Sequence, residues 1–164
     1  MDVFGNFYLM SDICQRNCDL DNLGCASAGL WDILKLRIQP RQEIDEWIFA
    51  SCAIRGNIPF MRWLIDNNVK GYNIPRPELM NLAAKYGHLD MVKLLHENGK
   101  GCTTDAMDDA AWSGHLDVIK WLHENRTEGP SSQRLACAGC TKYAMDWATQ
   151  NGYLDVVVWL FNNK

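Results

Sequence analysis

Residues 79–98 and 106–125 carry one pattern twice, with twelve of twenty aligned positions identical. The shared positions include Met80/Met107, Ala83/Ala110, Ala84/Ala111, Gly87/Gly114, His88/His115, Asp90/Asp117 and Asn98/Asn125. A third copy opens with Ala144-Met145-Asp146-Trp147-Ala148, turns at Gly152-Tyr153-Leu154-Asp155 and closes on Trp159-Leu160. Fainter copies come earlier: Gly56-Asn57-Ile58 leads into Trp63-Leu64, and Gly29-Leu30-Trp31-Asp32 into Leu34-Lys35-Leu36. The glycines at 29, 56, 87, 114 and 152 lie 27, 31, 27 and 38 residues apart. The unit is therefore 27 residues long, and the last interval carries 11 more. A period of this size predicts a stack of small units, because one unit alone cannot bury its apolar face.

Each unit places a short apolar segment on either side of its glycine. Met107, Ala110 and Ala111 fall at i, i+3 and i+4 of a first helix. Leu116, Ile119 and Leu122 share one face of a second, with Val118 and Trp121 flanking it. Glycine accepts the positive φ that ends the first helix and turns the chain. Asp90, Asp117 and Asp155 then sit in the first turn of the second helix, at the positive end of its dipole. Helices this short do not hold alone in water, so they must lean on their neighbours. The prediction is an all-α solenoid of helix-turn-helix units at 20–43, 44–72, 75–101, 102–128 and 140–164. Residues 1–19 are expected as an N-terminal segment or degenerate cap, and the insertion near 129–139 as a loop.

The cores Ala83-Ala84-Lys85-Tyr86-Gly87-His88 and Ala110-Ala111-Trp112-Ser113-Gly114-His115 resemble the Ala-Ala-x-x-Gly-His core of ankyrin repeats. Ordinary ankyrin units are about 33 residues and begin their first helix with Thr-Pro-Leu-His. Here Asp105-Ala106-Met107-Asp108 and Tyr143-Ala144-Met145-Asp146 stand in that place. The unit is shorter by about six residues, a loss expected in the hairpin that joins repeats. Trp121-Leu122-His123-Glu124-Asn125, varied as Leu94-Leu95-His96-Glu97-Asn98, is similar to the signature of short, divergent ankyrin-type repeats. Those form large arrays in protists and giant DNA viruses. The likeness is fullest over 79–164, thinner over 44–78, thinnest over 20–43 and absent from 1–19. Leucine-rich repeats fit worse, lacking their Leu-x-x-Leu-x-Leu strand here, and tetratricopeptide repeats need 34 residues.

The resemblance implies a non-enzymatic module that binds a partner protein through variable positions on the concave first-helix face and its loops. Those positions are legible by comparing units: Leu82, Asp109 and Trp147; Lys85, Trp112 and Gln150; and Tyr86, Ser113 and Asn151. Tyr143, and Arg134 in the insertion, join Leu82, Lys85, Tyr86, Asp109, Trp112, Trp147 and Gln150 as candidate contacts. Trp and Tyr are favoured at binding hot spots. The competing reading is that Trp112 and Trp147 only cover the seam between units.

Residues that could carry chemistry repeat like the rest. His88/His115 and His96/His123 recur at fixed places, whereas catalytic residues are usually unique. The resemblance gives His88 and His115 a hydrogen bond to backbone, and His96 and His123 sit near a helix C-terminus. Cys137-Ala138-Gly139-Cys140 is the one redox-like or zinc-like motif, but no second ligand pair accompanies it. Cys140 also aligns with Cys102 as a repeat position. A zinc- or redox-active protein centred on Cys137 and Cys140 is therefore the alternative, with no cofactor expected from the main reading. Cys14 and Cys18, one turn apart, are read as core positions.

Composition agrees with a folded domain: 164 residues, 48% apolar, 22% charged. A net charge of −4 argues against duplex binding by bulk charge. No secretory pattern opens the chain, and no apolar run approaches the roughly 18 residues of a membrane span. An intracellular, cytoplasmic location is expected, and seven cysteines cannot all pair within one chain. The last unit carries Val158 where Lys93 and Lys120 stand, and Phe161 where His96 and His123 stand. Self-association through that apolar helix is a further expectation.

Overall fold

The structure is a computed structural model and describes residues 25, 29–38, 44, 46–69, 78–99, 101–125 and 142–163. Residues 1–19, the insertion, Arg134, Cys137 and Cys140 lie outside the described residues. Among the described residues every regular element is a helix. These are α1 (Trp31–Arg37), α2 (Glu46–Arg55), α3 (Ile58–Asp66), α4 (Glu78–Lys85), α5 (Leu89–Glu97), α6 (Thr104–Ser113), α7 (Leu116–Glu124), α8 (Lys142–Gln150) and α9 (Leu154–Asn162). The expected all-α helical-repeat class is the observed one. The chain divides into two compact units, residues 1–51 with 59–73, and residues 52–58 with 74–164.

In the first unit, Ile33, Leu34, Ile48, Phe49, Phe60, Met61 and Leu64 form the buried core. The Trp31 ring lies 4.9 Å from Phe60, which in turn stacks on Trp63 at 5.9 Å. These rings lie on α1 and α3, where the matching helix α5 of the second unit buries Met91, Val92, Leu94 and Leu95.

In the second unit, α4 with α5, α6 with α7 and α8 with α9 form successive pairs, and α6 packs between α4 and α8. This inner row closes tightly because Ala83, Ala84, Ala106, Ala110, Ala111, Ala144 and Ala148 are wholly buried. Met91, Val92, Leu94 and Leu95 fill the space on α5, as Val118, Ile119 and Leu122 do on α7. The expected face of α7 is thus shifted. Val118 lies at its centre, and Leu116, the first residue of the helix, is only half-buried. A helix packed against both its own partner and the adjacent second helix buries a wider arc than a single i, i+3, i+4 stripe.

One turn recurs at every pair. His115 N–H donates to Ala110 O at 2.9 Å while Gly114 N–H donates to Ala111 O at 3.3 Å, a Schellman motif with Gly114 at φ 78°. The same two bonds link Asn57 and Gly56 to Cys52 and Ala53, His88 and Gly87 to Ala83 and Ala84, and Tyr153 and Gly152 to Ala148 and Thr149. The alanine pair therefore supplies carbonyls to the turn as well as small side chains to the seam.

A second device closes the outer helices. Asn67, Asn98, Asn125 and Asn163 each donate from Nδ2 to the carbonyl four residues back, at 2.8–2.9 Å. The carbonyls of Trp63, Leu94 and Trp121 already accept the backbone N–H of the same asparagine, at 3.1, 3.2 and 2.9 Å, and the side-chain amide adds a second donor to the oxygen. This accounts for the asparagine that ends the Trp-Leu-His-Glu-Asn pattern.

Candidate binding face

The histidines hold one repeat to the next. His88 donates from Nε2 to Ile54 O at 2.8 Å, which fixes the proton on that nitrogen because a carbonyl can only accept. Its ring also fills the space where a Cβ on Gly56 would stand, at 2.6 Å. The His115 ring takes the same seat over Gly87, and the Tyr153 ring takes it over Gly114. Tyrosine thus takes the same seat as histidine and fills it with its ring. His96 and His123 meet the edges of Trp121 and Trp159 at 5.2 Å, so they join neighbouring outer helices besides facing a helix C-terminus.

With the histidines so employed, the variable side chains of the inner row remain. Asn81, Leu82 and Lys85 of α4, Asp105, Asp108 and Asp109 of α6, and Trp147 of α8 line a cavity of about 400 Å³. Its wall is built from repeat devices. Thr103 caps α6 by accepting from Asp105 N–H at 3.2 Å, and its hydroxyl donates to Asp105 Oδ2 at 3.0 Å. Asn81 reaches across from α4, donating to Thr103 Oγ1 at 2.8 Å and accepting from Thr103 N–H at 3.2 Å. The Trp147 indole is held by Tyr143, stacked at 5.7 Å, and by the edge of Trp112 at 5.6 Å. Asn151 donates to Trp112 O at 3.0 Å and pins that strip of backbone.

Burial raises the pKa of Asp109 above the ordinary carboxylate value, against the opposing pull of Lys85; Asp105 and Asp108 add to the rise. Asp108 is 4% exposed, the one buried charged group among the described residues.

Four of the sequence-predicted contacts, Leu82, Lys85, Asp109 and Trp147, line this one cavity. The column of Leu82, Asp109 and Trp147 runs straight across three first helices. Trp112 at 46% and Tyr143 at 50% exposed border it, so seam packing and accessibility coexist in the same side chains. Tyr86, in the turn after α4, and Gln150, at the end of α8, are exposed but do not line the cavity. Asn81, Asp105 and Asp108 are residues that the variable columns did not single out. Asn81, Asp108 and Asp146 do form a polar column beside the apolar Met80, Met107 and Met145, and that was the available signal.

Among the described residues no group of three His, Cys, Asp or Glu could hold a metal ion, and no helix is long and apolar enough to cross a membrane. Cys102 is disulfide-bonded, whereas Cys25 is a buried thiol. An odd cysteine count leaves one thiol over, but it does not forbid such a bond.

The repeated turn, the alanine seam and the ring over Gly56, Gly87 and Gly114 define the unit, and comparison with known families gives it a name. A family model described as ankyrin repeats (3 copies) matches residues 47–134, more than half of the chain. The chain belongs to the ankyrin-repeat family. Its matched segment stops before α8, yet α8 and α9 reproduce the ankyrin-repeat turn bond for bond. No curated protein matches the chain. Ankyrin repeats generally mediate protein–protein interaction and are typically non-enzymatic.

Proposed function

We propose that this ankyrin-repeat chain is a non-enzymatic recognition module that binds a partner protein through the first-helix face of α4, α6 and α8. The observation that supports this is the convergence of the variable column, Leu82, Asp109 and Trp147, on one cavity of about 400 Å³. Conserving stability alone would not require these positions to differ between units, since the Ala, Met and Gly positions beside them carry the packing. Trp112 and Tyr143 add rigid aromatic area at the rim, which is the composition of a hot spot. Nucleic acid is not the ligand of this face, because its phosphates would meet Asp105 and Asp109.

The test is affinity capture from cell lysate with the native chain and with Trp112→Ala/Trp147→Ala. A partner recovered by the native chain and lost by a still-helical double variant supports the face. Equal recovery by both assigns the tryptophans to the seam alone. A cytoplasmic placement would set a reducing compartment against the Cys102 disulfide. Alkylation of thiols in cells lysed directly into denaturant decides between them: a modified Cys102 supports the cytoplasm, and a protected one moves the module to an oxidising compartment.

One further surface favours a second reading, self-association through α9. Val158 is 58% and Phe161 73% exposed, and the Cβ position of Gly152 meets no atom within 4 Å. Sedimentation of the native chain against Val158→Lys/Phe161→Glu distinguishes the two. A native dimer that the variant abolishes supports self-association, and a native monomer overturns it.

A further inference from the structure

We infer that the groove between α4, α6 and α8 seats a basic side chain of the partner, an arginine, between Asp105, Asp109 and the Trp147 indole. The inference rests on the first-helix face being the binding surface and names the chemistry of what binds there.

Charge complementarity carries the argument. Asp105 is exposed at the groove's rim and Asp109 is half-buried inside it. Lys85 is the only basic residue among the described residues that line the groove. Within the described residues Asp109 has no hydrogen bond or ion pair to compensate its carboxylate. Burial already disfavours its ionised form in spite of Lys85. An incoming cation would supply what the site withholds, whereas an acidic segment would meet one lysine against several carboxylates.

The aromatic wall narrows the choice to arginine. A guanidinium is flat, more weakly hydrated than an ammonium and able to bond a carboxylate in two places while stacking on an indole. Trp147 is fixed by Tyr143 and Trp112 before anything binds, so little side-chain freedom is lost on contact. An apolar occupant would leave Asp109 buried further without a donor, which opposes it.

Fluorescence anisotropy of labelled octa-arginine, octa-lysine and octa-glutamate peptides against the full chain tests the assignment. Octa-arginine should bind best, octa-lysine more weakly and octa-glutamate not at all. Asp105→Asn/Asp109→Asn should weaken octa-arginine binding by about tenfold or more. Asp90→Asn/Asp117→Asn removes the same charge from the outer helices and should leave it within about twofold. Trp147→Leu should narrow the gap between arginine and lysine peptides. Circular dichroism checks that each variant stays folded. Equal weakening by the two Asp→Asn pairs, or octa-lysine binding as tightly as octa-arginine, overturns the proposal. If the tryptophan pair is needed for partner capture while octa-arginine ignores Asp105 and Asp109, the face stands and its arginine specificity falls.

Discussion

Gly114 and Gly152 occupy the same turn in successive repeats, with the same φ of 78° and the same pair of Schellman hydrogen bonds. They differ in what lies against them. A Cβ on Gly114 would stand 2.7 Å from the Tyr153 ring, while one on Gly152 would meet nothing within 4 Å. One glycine therefore serves two requirements and the other serves one. A repeat sequence records both as the same letter, and only the neighbour separates backbone need from packing need.

The largest expected effect breaks this equivalence directly. Gly152→Ala should lose about 1–2 kcal/mol from the left-handed backbone, offset by about 0.4–1 kcal/mol from a stiffer unfolded chain. Gly114→Ala bears those same terms and must also displace the Tyr153 ring, adding about 1–3 kcal/mol. Urea unfolding of the two variants reads the difference, and equal losses would mean the ring moves aside at no cost. The next contrast is Ala111 against Thr149, which align in the repeat. Ala111→Leu at the closed seam should cost about 1–3 kcal/mol. Thr149→Leu, on an exposed surface, should stay within about 0.5 kcal/mol. Thermal melts compare them.

The parts of this architecture that were readable from sequence are those that a residue type forces by itself. Turn glycines, seam alanines and the aspartates of the second helices repeat because each satisfies a local backbone or packing rule. Contacts between repeats were harder to read. That His96 would meet Trp121, or that Tyr153 could stand in for His115, depends on which side chains face across a seam. A 27-residue period does not give that register. The cavity was half legible: comparing columns found Leu82, Asp109 and Trp147, but Asn81 and Asp105 were hidden by looking like ordinary polar surface. Their roles follow from Thr103, which both of them bond.

A smaller effect should ignore the contrast altogether. Asn125 and Asn163 bond a carbonyl of their own helix, at 2.9 and 2.8 Å, so no neighbouring repeat is involved. Asn125→Ala and Asn163→Ala should each cost about 0.5–1.5 kcal/mol, and by equal amounts. A large inequality in chemical unfolding would show that the amide also braces the adjoining repeat.

The least effect in magnitude carries the sharpest sign. Asp109 shares its cavity with Trp147 of the following repeat, so burial acts here on a charge as it acts on Gly114 through a ring. Its folded-state pKa lies above the ordinary 3.8. The native chain then holds that proton more tightly than the unfolded chain does. Stability from this group is greatest below the ordinary value, falls as pH rises through the raised one, and stays low at neutral pH. Asp109→Asn should therefore stabilise the chain at pH 7 and change nothing in acid below the window. Urea midpoints of both proteins across pH supply the measurement. A variant that is less stable at neutral pH would show that the carboxylate is better compensated in the fold than its surroundings imply. The same substitution should weaken arginine binding, so a gain in stability with a loss of recognition would mark Asp109 as a residue kept for its partner.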